Sequence, residues 1–300
     1  MAYVSGVNAV DTANAINNAI SNIVLVAKPG QSQALVLAKA LKAQFPRQTF
    51  WATSSLAAEL GWNQLPKEQL REKAELVLVL GGDGTLIQAA CLLAGRPVPI
   101  LGVNLGSLGF LTEIAKEEVV GALQRVLAGD AQVDSRMKLS CELYRAGERI
   151  FEDQALNDVV VNKGVLARMV EHEAWINGEL VAIYKSDGII CSTPTGSTAY
   201  CLAAGGPIVH PAVDCLILTP ICPHALTQRP IVVTSKHKIR IVLRSEVSDV
   251  FLTVDGRGAI PLKSGDWIDI QKADNRVFLV RNPSLSYFGV LHQKLRWGER

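Results

Sequence analysis

In the first part of the chain, apolar residues fall in short unbroken runs rather than in alternation. Residues 22–28, 49–52, 74–80 and 97–103 each read as strand-length segments, dominated by Val, Ile, Leu and Ala with one short aromatic run. Runs of this kind suit parallel strands covered on both faces. Between them, residues 31–44 repeat Leu35, Ala38 and Leu41 at helical spacing, and residues 86–94 read as a second helix. Strands alternating with helices predict βαβ units and a parallel sheet.

The pattern changes after about Gly129. Residues 136–145 alternate through Met137, Leu139, Cys141 and Leu143, and residues 159–162 and 171–185 alternate likewise. Asn177-Gly178 interrupts one alternating stretch and Asp255-Gly256 another, each a strong hairpin signal. Residues 240–244, 250–254, 267–270 and 276–280 read as further strands, and residues 286–297 return to helical spacing through Phe288, Leu291 and Leu295. The fold class expected is an α/β N-terminal domain with a parallel sheet, plus a strand-rich, β-sandwich-like C-terminal domain. The first domain is expected over residues 1–130, with 286–300 returning to it, and the second over 131–285. The first ~20 residues, rich in Ala, Asn and Ser, read as an extension or a short helix.

Composition narrows the function classes. Hydrophobic residues make up 49% of the 300 and charged residues 19%, enough apolar matter for a sizeable core and too little charge for a disordered chain. Thirty basic against 28 acidic residues leave +2, with no clustered Lys/Arg stripe for nucleic acid. The six cysteines lack C-x-x-C spacing and the five histidines are scattered, so neither a zinc site nor a disulfide framework is expected. No apolar run reaches the ~18 residues of a membrane span, and no secretory pattern opens the chain. The expectation is a cytoplasmic protein with no membrane partner.

Four stretches carry candidate chemistry. In Gly81-Gly82-Asp83-Gly84-Thr85 a buried strand ends, glycines follow and a helix begins. Glycines let backbone N–H groups approach an anion, and a helix N-terminus adds partial positive charge, which makes a phosphate cradle of Gly81, Gly82, Gly84 and Thr85. Asp83 would repel phosphate unless it takes a proton or holds a metal, roles that phosphoryl transfer uses; the bland reading is that Asp83 or Thr85 caps the helix. Residues 104–111, Asn-Leu-Gly-Ser-Leu-Gly-Phe-Leu, follow the fourth parallel strand on the same carboxyl edge, where open α/β sheets bind ligands; a glycine-rich turn is the alternative. Asn157-Asp158 precedes a strand: an amide to read a base and a carboxylate to accept ribose hydroxyls, or an ordinary turn. The densest stretch runs from Lys185-Ser186-Asp187-Gly188 to Ala204-Gly205-Gly206-Pro207. Ser192, Thr193, Thr195, Ser197 and Thr198 crowd the start of an apolar segment in it, suited to a polyhydroxyl or phosphate ligand or to a plain capped loop.

Taken in this order, the four stretches resemble the NAD kinase family over about residues 23–297. Gly-Gly-Asp-Gly-Thr alone is shared with lipid kinases. The Asn-Leu-Gly-x-Leu-Gly-Phe-Leu stretch and the Ser-Thr-Pro-Thr-Gly-Ser-Thr-Ala-Tyr block are far more specific, and Pro223-His224 and Ser286-Tyr287-Phe288 fit the same family. The resemblance implies transfer of the ATP γ-phosphate to the 2′-hydroxyl of the adenosine ribose of NAD, with Mg²⁺ or another divalent metal accompanying ATP. It implies Asp83 as proton acceptor with Gly84 beside it, and Asn157 and Asp158 on the adenine and ribose hydroxyls. Thr198, Ala199 and Tyr200 would line the adenine pocket, and Asp187, with Lys185 near it, would face the nicotinamide half. It implies a homodimer or homotetramer, and no protein-held metal is expected.

The chain departs from the pattern at four points, the first being the loop Lys28-Pro29-Gly30, which matches the family only loosely. Ala203 stands where many members carry a second hydroxyl, Lys185 stands where Arg is common, and Arg257 follows Asp255-Gly256 where Gln is usual. Two other classes stay open at this level. A diacylglycerol- or sphingosine-type lipid kinase would be expected to show an apolar membrane-facing loop or basic anchor, and neither is evident. A non-catalytic dinucleotide sensor could dispense with Asp83 and its glycines, yet all are present.

Overall fold

A computed structural model describes residues 20–164, 169–246 and 249–297. The reading of residues 2–19 as an extension or short helix therefore lies outside the described residues. The chain divides into two compact units, one formed by residues 1–135 with 276–300 and the other by residues 136–275.

The first unit carries β1 (Asn22–Ala27), α1 (Ser32–Gln44), β2 (Thr49–Ala52), α2 (Ser54–Leu60), α3 (Lys67–Lys73), β3 (Leu76–Leu80), α4 (Asp83–Leu93), β4 (Pro99–Asn104), β5 (Ile114–Ala115) and α5 (Val119–Leu127). The second carries most of β6 (Val133–Arg145), then β7 (Glu148–Ala155), β8 (Asp158–Lys163), β9 (Val170–Ile176), β10 (Glu179–Ser186), β11 (Gly188–Ser192), a 3-10 turn (Thr195–Thr198), α6 (Tyr200–Ala203), β12 (Cys215–Ile221), β13 (Ile231–Thr234), β14 (Ile239–Leu243), β15 (Val250–Val254) and β16 (Arg257–Pro261). The long β17 (Trp267–Val280) starts in the second unit and ends in the first, where α7 (Tyr287–Leu295) follows, capped by Ser286 Oγ accepting from Gly289 N–H.

In the first unit β2, β1, β3 and β4 pair in that order, all parallel, and Phe278 and Leu279 of β17 pair parallel to β4. Every residue of β3 and β4 is buried, as their unbroken apolar runs predict. Strand β1 leads outward to β2 and inward to β3, so strand order reverses between β1 and β3. The carboxyl ends near such a reversal are where open α/β sheets place ligands. Helix α5 buries Val119, Ala122, Leu123 and Val126, an i, i+3, i+4, i+7 stripe, against this sheet's core.

The second unit stacks antiparallel sheets. One runs β13-β12-β11-β8-β15-β16. The other pairs β10 with β9, β9 with β14, and β14 with the first part of β17, while β6 and β7 form a hairpin. Inward residues from these strands, among them Leu139, Val159, Val161, Ile189, Leu216, Ile241, Leu252 and Ile268, make one core. On its other face the first sheet packs Val160, Ile190 and Ile217 against Cys201 of α6. Both predicted turns are two-residue hairpins with positive φ at each position, Asn177 (+50°) with Gly178 (+84°) and Asp255 (+50°) with Gly256 (+65°). That geometry matches the right-handed twist of the flanking strands.

Candidate functional site

The first unit gathers one set of groups beyond the carboxyl ends of β3 and β4. Helix α4 begins at Asp83, three residues earlier than its apolar spacing predicts, with Gly82 as the preceding half-turn residue. Asp83 is therefore the first helical residue, and its carboxylate does not cap its own helix. It turns to the loop after β4 instead. Oδ2 accepts the N–H of Phe110 (2.9 Å), while Oδ1 accepts the N–H groups of Leu111 (3.0 Å) and Thr112 (3.1 Å) and the Thr112 hydroxyl (3.2 Å). Successive backbone N–H groups form a concave anion cradle, and here a side chain of the same unit fills it.

The loop is built for that contact. Asn104 Nδ2 donates to the carbonyls of Thr112 (3.3 Å) and Ile114 (3.2 Å), so this asparagine ties its own loop. Of the glycines read as phosphate donors, Gly81 is buried and a Cβ there would meet Thr85 Oγ1 at 2.8 Å, a packing demand. Gly82 and Gly84 are exposed, with no atom within 4 Å of a Cβ built on either. Thr85 is buried and its N–H goes to the Gly82 carbonyl (3.0 Å). The N–H groups of Asp83 and Gly84 have no acceptor among the described residues and are the donors this helix start offers an anion.

The second unit gathers another set at the start of β8. Asp158 is 5% exposed, and its carboxylate has no hydrogen-bond partner among the described residues. Burial, and then the Asp255 carboxylate, push it up to about 7. Isolated buried carboxylates are costly, which makes this group a candidate to receive donors from a ligand. Asn157 beside it is half-buried; its carbonyl accepts Thr193 N–H (2.9 Å) and Ser192 Oγ (3.1 Å). Gly196 lies against it so closely that a Cβ would stand 2.2 Å from the Asn157 carbonyl oxygen.

The hydroxyl block has the bonds of the capped loop, one of its two readings from the sequence. Thr193 Oγ1 donates to Leu156 O (2.6 Å) and accepts from Gly196 N (3.0 Å), Ser197 Oγ donates to Pro194 O (2.6 Å) and accepts from Val209 N (3.0 Å), and Thr198 Oγ1 donates to Thr195 O (3.3 Å). Ser192, Thr193 and Ser197 are fully buried. These hydroxyls hold the loop in shape, because a sharp turn over a buried strand leaves carbonyls that only local side chains can reach. Thr198, Ala199 and Tyr200 stand at its surface, with Tyr200 40% exposed. The Tyr200 phenol is pushed up by burial, then by Cys222, Asp158 and Asp187, which places these side chains within electrostatic reach of one another. Asp187 also faces Lys163 Nζ at 3.5 Å. Lys185 points elsewhere, pairing with Glu171 (2.8 Å) across the β9–β10 hairpin, and it is mostly exposed.

Two groups escaped the sequence reading. Thr112 lies beyond the glycine-rich stretch, yet supplies two of the four bonds to Asp83. Asp255, read only as a turn residue, accepts the N–H groups of Leu156 (2.8 Å), Asn157 (2.7 Å) and Asp158 (3.1 Å). Its burial raises it, while those three donors and Arg257 act in the opposite direction. No spacing rule links a turn carboxylate to amides nearly a hundred residues away. Among the described residues no group of three or more His, Cys, Asp or Glu side chains could hold a metal ion, and no helix is long and apolar enough to cross a membrane.

Comparison with known proteins gives this geometry its family. Residues 14–131 match the model of the ATP-NAD kinase N-terminal domain, and residues 156–282 that of the ATP-NAD kinase C-terminal domain. The NAD kinase of Geobacter metallireducens is 52% identical over 244 residues, 81% of this chain and 86% of that one. The NAD kinase of Geotalea daltonii is 55% identical over 234 residues, 78% of this chain and 82% of that one. Among solved structures, yeast NADH kinase complexed with NADH superposes with a TM-score of 0.87 at 27% identity, covering 95% of this chain and 90% of that one. An Archaeoglobus fulgidus NAD kinase in complex with ATP gives 0.73 at 26% identity, covering 92% and 98%. With a buried, unpartnered Asp158 in one unit, a clamped Asp83 at a helix start in the other, and both halves matched by family models, the chain belongs to the NAD kinase family.

Proposed function

We propose that Asp83 is the proton acceptor in the reaction of this ATP-dependent NAD kinase, which phosphorylates the 2′-hydroxyl of the adenosine ribose of NAD to give NADP and ADP. The observation that carries this role is the clamp on its carboxylate. Oδ1 takes three donors and is filled, whereas Oδ2 takes only Phe110 N–H and keeps a lone pair. Oδ2 is then the atom that receives the ribose proton. As the O2′–Pγ bond forms, the bond from Pγ to the β,γ-bridging oxygen breaks, the proton goes to Oδ2, and ADP leaves with the electron pair.

A ribose hydroxyl is a weak nucleophile, and a positioned base contributes ~10²–10⁴-fold. The larger share comes from placing the γ-phosphate in line and neutralising its charge. The Asp83 and Gly84 N–H groups at the start of α4 suit a phosphate oxygen, and the exposed glycines give it room. MgATP is the donor substrate, and we assign the divalent cation to its phosphates; among the described residues no group of three or more His, Cys, Asp or Glu side chains could hold it.

In the second unit Asn157 and Asp158 hold the adenosine of NAD, Thr198, Ala199 and Tyr200 line its adenine, and Asp187 faces the nicotinamide half. Lys185, engaged with Glu171, would contribute through its backbone more than its ammonium: its carbonyl accepts His224 N–H (2.9 Å). We assign the enzyme to the cytoplasm and to a homodimer or homotetramer. Support for assembly comes from β10, an edge strand exposing Leu180, Val181 and Ile183. Incubating the protein with MgATP and either NAD or diacylglycerol tests the activity: NADP is expected, and a phosphorylated lipid would replace this reading.

A further inference from the structure

We propose that Asp255 is the positioning residue of the NAD subsite, its carboxylate fixing the turn that sets Asn157 and Asp158 at the head of β8. The inference rests on the assignment of those two residues to NAD and goes beyond it.

Residues 156–158 leave β7 and enter β8 with three consecutive N–H groups turned to one side, and both Asp255 oxygens take them, at 2.7 to 3.1 Å. Such a row of amides is an anion cradle, and here the anion belongs to the protein. The contact is closed in the other direction by Asp255 N–H, which donates to Asp158 O (2.9 Å). Asp255 reaches this place because it is the first residue of a two-residue hairpin at φ +50°, with Val254 of β15 paired to Val159 of β8. The turn geometry and the strand register thus deliver the carboxylate to the amides. Residue 158 is anchored through its backbone on both sides, while its own carboxylate stays unbonded.

Anchoring by a carboxylate also has an electrostatic effect. The groups facing Asp158 are Asp255 from the hairpin, Cys191 from β11, and Tyr200 and Cys201 from α6, none of them cationic; Arg257 acts on Asp255. Of the two carboxylates, Asp255 has the amides to stabilise its charge and Asp158 has none. Asp255 therefore carries the charge and Asp158 holds a proton up to about pH 7. A ribose hydroxyl donates a stronger, charge-assisted bond to the ionised form of Asp158 than to the neutral one, so binding of NAD strengthens as pH rises through that region.

The test is Asp255→Asn in the full chain. Asn is at home at positive φ and retains an acceptor, but it lacks the charge. The expected result is a KM for NAD raised roughly tenfold or more, the scale of losing charge-assisted bonds. The KM for ATP and the kcat at saturating NAD should stay within about threefold, as for a loss of uniform binding. The midpoint of the pH dependence of NAD affinity should move down, because the repelling charge is gone. A purely structural role would lower the active fraction without moving that midpoint. An unchanged KM for NAD with an unchanged midpoint overturns the proposal. If the variant does not fold, amide exchange in the wild-type protein decides: slow exchange at Leu156, Asn157 and Asp158 is expected, and exposed-loop rates there overturn it. A wild-type protein that makes no NADP from MgATP and NAD would instead remove the NAD assignment itself.

Discussion

Gly109 lies so close to Asp83 that a Cβ built on it would stand 2.1 Å from the carboxylate Oδ1 and 2.3 Å from Thr112 Oγ1. The glycine is needed for this approach and not for its backbone angle, since its φ is not among the positive ones. Gly109→Ala should push the Asp83 carboxylate out of its four-bond clamp. A displacement near 1 Å at a reacting group costs on the order of 10² in rate. Turnover should fall by about that factor while NAD affinity, measured by calorimetry, stays close to wild type. Normal turnover would mean that the clamp does not set the geometry of the reaction.

Asp158→Ala should act on NAD binding. A carboxylate that bonds ribose hydroxyls in both ground and transition states contributes uniform binding, so its loss appears in KM. Each charge-assisted bond is worth ~1.5–3 kcal/mol, which predicts a KM for NAD raised roughly tenfold to a hundredfold. An unchanged KM would remove Asp158 from the subsite.

The same residue makes stability depend on pH. Its folded-state pKa, about 7, lies above the ordinary 3.8, because burial and Asp255 disfavour the charge. Between about pH 4 and pH 7 the folded chain keeps a proton that the unfolded chain has lost. Stability from this group therefore falls as pH rises across that window and levels off above it. Asp158→Asn should flatten that slope and stabilise the ligand-free protein at pH 8 by ~1–4 kcal/mol. Chemical denaturation of both proteins at pH 5 and pH 8 reads the difference, and a wild-type curve rising from pH 5 to pH 8 with no change in the variant would contradict it.

Light scattering at micromolar concentration should give two or four times the 32.3 kDa chain mass. The exposed Leu180, Val181 and Ile183 on edge strand β10 supply the physical reason. A mass of one chain would contradict assembly.

Much of this was legible along the chain because it depends on local chemistry. Leu76–Leu80 is apolar throughout and wholly buried, and Asn-Gly and Asp-Gly made the two hairpins that their backbone preference dictates. Short helices were not legible. Helices α2 and α3 span seven residues each, too few for a periodic stripe to stand out. Helix α5 carried the stripe of Val119, Ala122, Leu123 and Val126, a signal present but passed over. Strand β17 read as two strands because polar Gln271, Lys272, Asp274 and Asn275 interrupt it. At the site, the sequence offered Asp83 as a base, a metal anchor or a cap. Only the fold brings Phe110, Leu111 and Thr112 to it and Asp255 to residues 156–158. Such bonds depend on which strands become neighbours, which periodicity does not encode.

Asp83 carries the proposed proton transfer, and the turnover number of Asp83→Asn at saturating NAD and MgATP tests that role most directly. Asn keeps the size of the side chain but cannot accept a proton at neutral pH. One end of it would also present N–H₂ to the amides of residues 110–112, a mismatch that should cost ~1–3 kcal/mol of stability. A thermal melt and a calorimetric titration with NAD on the same sample confirm that folded, NAD-competent protein is being assayed. The kcat is expected to fall by ~10²–10⁴, the range for loss of a general base, with NAD affinity little changed. A kcat within about threefold of wild type would contradict the assignment of Asp83 and with it the proposed path of the proton.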